Sequence, residues 1–160
     1  MARRDAAVVL GSFLLLGALA GVLWWALVDP AEFTKFPSAG SAMDEVDLGK
    51  QFSADGWYVV IAAVAGLVSG MAITGWRSRD PLLTSALLVV GAALAAAVMA
   101  GVGYLLGPGN PQAVLEGAKV GAHVPERLDV SATAAYLAWP IAVLTGALVV
   151  LLGRVPDSET

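Results

Sequence analysis

The chain has 160 residues, 58% hydrophobic and 14% charged, with a mean hydropathy of +0.78. Soluble domains hold about 45–50% apolar and about 25% charged residues, so polar surface is too scarce here to cover a water-facing core, and lipid is the expected partner. The formal charge of −4 argues against nucleic acid, the absence of cysteine excludes disulfides and thiolate chemistry, and one histidine excludes haem ligation by two histidines.

A spanning helix needs about 20 mostly apolar residues to cross a hydrocarbon core of about 30 Å. Residues 6–28 are the first such run, ended by Asp29-Pro30. Arg3 and Arg4 ahead of it, with Ala18-Leu19-Ala20 inside it, imitate a signal peptide. The run continues without a polar break to Val28, so an uncleaved anchor is expected. Gly17 and Gly21 stand four residues apart, a spacing that lets helix backbones approach closely in lipid. Trp24 and Trp25 are expected as interfacial anchors, because amphipathic rings favour the headgroup level.

Residues 29–56 form a long outer loop with Phe33, Phe36, Met43, Val46, Leu48 and Phe52, too many apolar residues for a free linker. Ser41-Ala-Met-Asp44 resembles a capping box with Asp in the Glu position, predicting a short helix over residues 42–51. Asp44, Glu45 and Asp47, with Asp55, offer carboxylates for calcium. They lack the alternating order of an EF-hand loop, and a solvated acidic face is the expected reading.

Residues 57–76 are the second span, with Trp57 and Tyr58 as anchors at one end and Trp76 at the other. Ala62, Gly66, Gly70 and Thr74 make an unbroken small stripe along it. Arg77 and Arg79 fill a short connection. The third span, residues 81–106, follows Asp80 as an expected N-cap, with proline at the first helical position. Its small positions are Ala93, Ala97 and Gly101, and Tyr104 is its anchor.

The second outer loop, residues 107–131, opens with the turn-rich Gly107-Pro-Gly-Asn-Pro111. Apolar and polar residues alternate over 118–124, predicting a strand that pairs with residues 33–36 across the two loops. Residues 132–153 are the fourth span, with Tyr136 and Trp139 as anchors and Ala142 and Gly146 as small packing positions. Pro140 cannot donate to the carbonyl of Tyr136, which predicts a kink. The small stripes are expected to serve packing within the bundle rather than a dimer face.

Basic residues set the orientation. Arg3, Arg4, Arg77, Arg79 and Arg154 crowd the short segments on one side, whereas Lys35, Lys50, Lys119 and Arg127 are spread through long loops. Cytoplasmic segments are the ones dense in Lys and Arg, so both termini are expected inside. The fold expected is an all-α integral membrane protein: one domain, a four-transmembrane-helix bundle of two helical hairpins, whose long extracytoplasmic loops carry a short helix and short strands.

Reactive chemistry is sparse. His123 with Glu126 and Asp129 has base-like partners, but no nucleophile or metal spacing accompanies it. No phosphate-binding glycine loop occurs, and no acid or histidine lies inside a span to relay protons. No cofactor is expected.

The four-span layout, the stretch Gln51-Phe-Ser-Ala-Asp-Gly-Trp-Tyr58 and the segment Tyr136-Leu-Ala-Trp-Pro140 resemble a family of small actinobacterial membrane proteins of unknown function. The resemblance implies a bacterial inner-membrane location and brings no catalytic residues with it. Three functions are carried forward. The leading one is a non-enzymatic accessory or scaffolding component whose partner is another membrane or envelope protein, or a second copy. The alternative is a subunit of a small oligomeric transporter or channel, in which Gly66, Gly70 and Thr74 approach a neighbour or a path. The third is an outer-face lipid or envelope enzyme using Asp55, His123, Glu126 or Asp129.

Overall fold

The computed structural model describes residues 2–36, 40–42, 44–76 and 81–154. Met43, Arg77, Arg79 and the expected N-cap Asp80 lie outside them. Four helices are long and apolar enough to cross a membrane. They are α1 (Ala2–Leu27), α2 (Glu45–Trp76), α3 (Pro81–Leu106) and a composite fourth, in which a 3-10 turn over Thr133–Leu137 runs into α5 (Ala138–Leu152). Between them lie strands β1 (Glu32–Phe36), β2 (Gly40–Ala42) and β3 (His123–Pro125), and the short helix α4 (Pro111–Gly117).

Helix α3 has the bounds expected of it. Helix α2 corrects two expectations at once, because the short loop helix and the second span are a single helix of 32 residues. Ser41 lies in β2, and the cap falls three residues later. The Asp44 side chain accepts from the Asp47 backbone N–H at 2.8 Å, while its carbonyl accepts from Leu48 N–H at 3.0 Å. Gly49 and Gly56 each cost about 1 kcal/mol of helix propensity. The helix nevertheless continues, because Asp47, Ala54, Tyr58 and Ile61 bury one face of it. Thirty-two residues span about 48 Å, about 18 Å more than the thickness of a hydrocarbon core of about 30 Å.

Pro140 is the third residue of α5, in the first turn, where backbone N–H groups have no partner inside the helix. Its missing N–H therefore leaves no gap in α5, and the chain changes from 3-10 to α geometry just before it.

The tightest helix pairs are not the sequential hairpins. Helix α1 packs on α3 and α2 packs on α5, with α3 against α5 joining the two pairs. Contacts rise together in number along each pair. A Cβ on Gly17 would meet the Ala95 carbonyl oxygen at 2.6 Å, and one on Gly21 the Met99 carbonyl oxygen at 2.7 Å. One on Gly66 would lie 2.9 Å from the Ala142 Cβ, and one on Gly146 only 2.3 Å from the Leu67 carbonyl oxygen. Both pairs are therefore parallel, as first with third and second with fourth spans must be in a chain that crosses back and forth. Where α1 and α2 diverge, an open apolar groove of about 510 Å³ runs between Leu16, Leu23, Trp57, Val60 and Val64.

Small residues in α3 mark a phase error of one position. Ala93, Ala97 and Gly101 are exposed, and nothing lies within 4 Å of a Cβ added to Gly101. The packed face is Ala92, Ala95, Ala96, Met99 and Gly103. Gly91 and Gly103 make room for aromatic rings, since an added Cβ would fall 2.1 Å from Phe13 and 2.4 Å from Trp24.

Candidate functional site

Both loops fold over one end of the bundle as a cap. Its frame is an antiparallel sheet in the order β2-β1-β3, with Thr34 opposite Ala42 on one side and Phe33 opposite Val124 on the other. Pairing between the loops is thus present, as expected. The strand of the second loop is His123–Pro125, however, because Val120 and Gly121 turn there, with Gly121 at φ +83° and its N–H donated to the Lys35 carbonyl at 2.9 Å. Helix α4 was not foreseen. Its signal is Asn110 before Pro111, an N-cap whose side chain accepts from Gln112 N–H at 3.0 Å. Lys35 reaches from β1 to the far end of this helix and donates to the carbonyls of Leu115 at 2.6 Å and Ala118 at 2.8 Å.

Charged residues tie the cap to the helices. Asp55, on α2, accepts from the backbone N–H groups of Ser131 at 3.0 Å and Ala132 at 2.9 Å, so it ties α2 to the residues that lead into the fourth span. Gln51, one turn earlier, donates to Glu126 at 3.2 Å. Lys50 bridges Asp29 at 3.3 Å and Asp47 at 3.5 Å. Arg127 lies 3.5 Å over the Tyr104 ring. His123 is on the exposed side of the sheet beside Glu32 at 3.5 Å and Thr34 at 3.3 Å.

Aromatic rings form the floor. Trp24, Tyr58 and Trp139, expected as interfacial anchors, are fully buried. Their role is to join helices. Trp24 Nε1 donates to the Ala54 carbonyl and Tyr58 OH to the Ala96 carbonyl, both at 2.8 Å. The Trp24 and Tyr58 rings meet edge to face at 5.3 Å, and half-buried Tyr136 follows at 5.8 Å from Tyr58. The other four expected anchors, Trp25, Trp57, Trp76 and Tyr104, are exposed on the bundle surface.

The cavity between cap and floor holds about 30 Å³ and is lined by Gln51, Glu126, Arg127, Asp129 and Ser131 among others. That is room for about one water. Glu126 borders it through a bond already made, Asp129 closes on its own chain by accepting from Val130 N–H at 2.8 Å, and Asp55 and His123 are not among its walls. Burial, chiefly, and the Asp129 charge push the Glu126 carboxyl above its ordinary value, against the bond from Gln51. Among the described residues, no three His, Asp or Glu side chains gather as a metal site. No family model, curated protein or solved structure matches the chain.

Proposed function

We propose that the chain is a multi-pass protein of a bacterial inner membrane, with the arginine-bearing end in the cytoplasm and the cap outside. It works without catalysis, as an accessory or scaffolding component that docks another envelope protein. The observation that carries this is the outward face of the α2 overhang. Phe52 is 77% exposed with exposed Leu48 one turn before it on the same face, Val46 is 69% exposed on a different side of the helix, and Phe36 of β1 is exposed on the same cap. Apolar side chains exposed on a cap whose inner cavity holds only about 30 Å³ fit a protein surface better than a reaction chamber.

Transport is the weaker reading. Gly66 and Gly70 are filled against α5 of the same chain, which leaves them no path to line. The enzymatic reading needs Asp55, His123, Glu126 and Asp129 to converge, and each is engaged with a different structural partner.

Photo-crosslinking from positions 46 and 52 in intact cells tests the docking role. A discrete adduct with one envelope protein is expected, lost when Phe52→Glu is introduced and retained when His123→Ala is. A chain that gives no adduct from either position and purifies as a solitary monomer would overturn the proposal.

A further inference from the structure

We infer that the open groove between α1 and α2 holds one acyl chain of an amine-headed phospholipid, with the headgroup at the Asp29 end. The inference rests on the membrane-embedded reading above. The groove, of about 510 Å³, runs between a leucine-rich row of α1 from Leu16 to Leu27 and a row of α2 from Trp57 to Val68. Ala20 and Ile61, 6% and 8% exposed, lie in its floor. Among the described residues its lining is wholly apolar. The two walls are held apart because α1 is packed on α3 and α2 on α5. Near the cap the bond from Trp24 to the Ala54 carbonyl fixes their spacing.

The size of the groove chooses between a lipid chain and a helix. Its walls run from residue 16 to 27 and from 57 to 68, about 16 Å along each helix. That is roughly half of a hydrocarbon core of about 30 Å, the depth of one leaflet. A spanning helix would need the whole depth. The side chains agree. Where helices of this chain meet closely, Gly17, Gly21, Gly66 and Gly70 stand at the contact, but no glycine lines the groove. Helices approach one another in lipid through small residues, so a thin flexible chain fits between rows of leucine and valine where a helix about 10 Å across does not.

Charge at the cap end selects the headgroup. Asp29 lies two residues beyond Leu27, and its Oδ2 meets Lys50 Nζ at 3.3 Å, from the end of α1 to α2. Lys50 stands seven residues before Trp57, two turns up the same face of α2, so the pair sits over the mouth of the groove. Lys50 is shared with Asp47 at 3.5 Å. Two carboxylates therefore answer one ammonium, and the cluster keeps a net negative charge. The Asp47 side chain is 12% exposed and that of Asp29 is 82% exposed, so Asp29 is where a cation in the headgroup layer can approach. Its complement is a lipid amine, and a headgroup carrying only negative charge is repelled there.

Photolabelling of the full chain tests this, in vesicles of equal parts phosphatidylethanolamine and phosphatidylglycerol. A trace of one lipid or the other carries a diazirine in its acyl chain, and adducts are mapped by peptide mass spectrometry. Adducts of the ethanolamine probe are expected to concentrate on residues 16–27 and 57–68 over the exposed α3 face of Val90, Leu94 and Leu105. In the groove they should exceed those of the glycerol probe by up to about fivefold, the effect of one exposed ion pair. Asp29→Asn should bring the two probes level. Ala65→Leu, which fills the groove from its lining, should lower labelling there by either probe and leave α3 labelling unchanged. Ethanolamine adducts spread evenly over both faces overturn the inference, as do glycerol adducts equal to them in the groove. So does a groove protected while α3 labels, the pattern a second copy or another helix would leave. Asp29→Asn changes an exposed side chain and keeps the test decisive should Ala65→Leu fail to fold. Carbonate extraction run alongside separates the two levels: release with no adduct in any span defeats the embedded reading itself, while α3 labelling without groove preference defeats only this one.

Discussion

Asp55 and Glu126 sit within one turn's reach of each other's partners, yet they serve the fold in opposite ways. Asp55 satisfies the backbone N–H groups of Ser131 and Ala132, which lead into the fourth span. Glu126 is held against burial by a single side-chain donor, and its carboxyl binds a proton more tightly in the folded chain than in the unfolded one. A pKa raised on folding contributes stability that is complete below the unfolded value, near 4.5, and is lost as pH rises through the folded value. Glu126→Gln should therefore raise the thermal midpoint in detergent at neutral pH. The gap between variant and wild type should close as pH falls towards 4.5. A variant that melts lower than wild type at neutral pH would contradict this account.

Among the helices, glycine position decides what a methyl group does. A Cβ on Gly70 would stand 2.1 Å from the Val143 carbonyl oxygen, a contact with backbone that no rotamer can relieve. Gly70→Ala should push α2 from α5 and destabilise the bundle by about 1–3 kcal/mol or more. Gly101→Ala meets nothing and removes a helix-weakening glycine, so a gain of up to about 1 kcal/mol is expected. Thermal midpoints of the two variants, measured in one detergent, should move in opposite directions. The repeating four-residue spacing in α3 marked Gly101 for packing, but spacing carries period without phase. Ala92, Ala95 and Ala96 are as small as Ala93 and Ala97, and only the neighbouring helix decides which face is used.

Taken whole, the molecule is two parallel helix pairs pressed together, roofed at one end by a sheet and open at the other to a cavity beside Thr74. Ser41 and Asn110 lie in or beside the cap, so the proposed orientation predicts that cysteines placed there react with an impermeant maleimide in intact spheroplasts. A cysteine at position 78 should react only after lysis. The reverse pattern would invert the orientation, and reaction at all three sites in sealed cells would break the four-span arrangement.

Four apolar segments of spanning length were legible in the residues alone, because exclusion of charge over about 20 positions needs no knowledge of neighbours. The meeting of the two loops was legible too, through Phe33 to Phe36 and the alternation near His123. Capping residues were read one turn early, since Ser41 and Asp44 are both competent and only burial of Asp47 and Ala54 selects the later start. Tertiary structure alone decided that Trp24, Tyr58 and Trp139 point inward, and that first pairs with third and second with fourth. An amphipathic ring suits either the headgroup layer or a buried site offering its polar tip a carbonyl. For Trp24 and Tyr58 the choice belongs to whichever helix presents one, whereas Trp139 is buried with no partner for its Nε1, and both outcomes are settled by shape at close range rather than by composition along the chain.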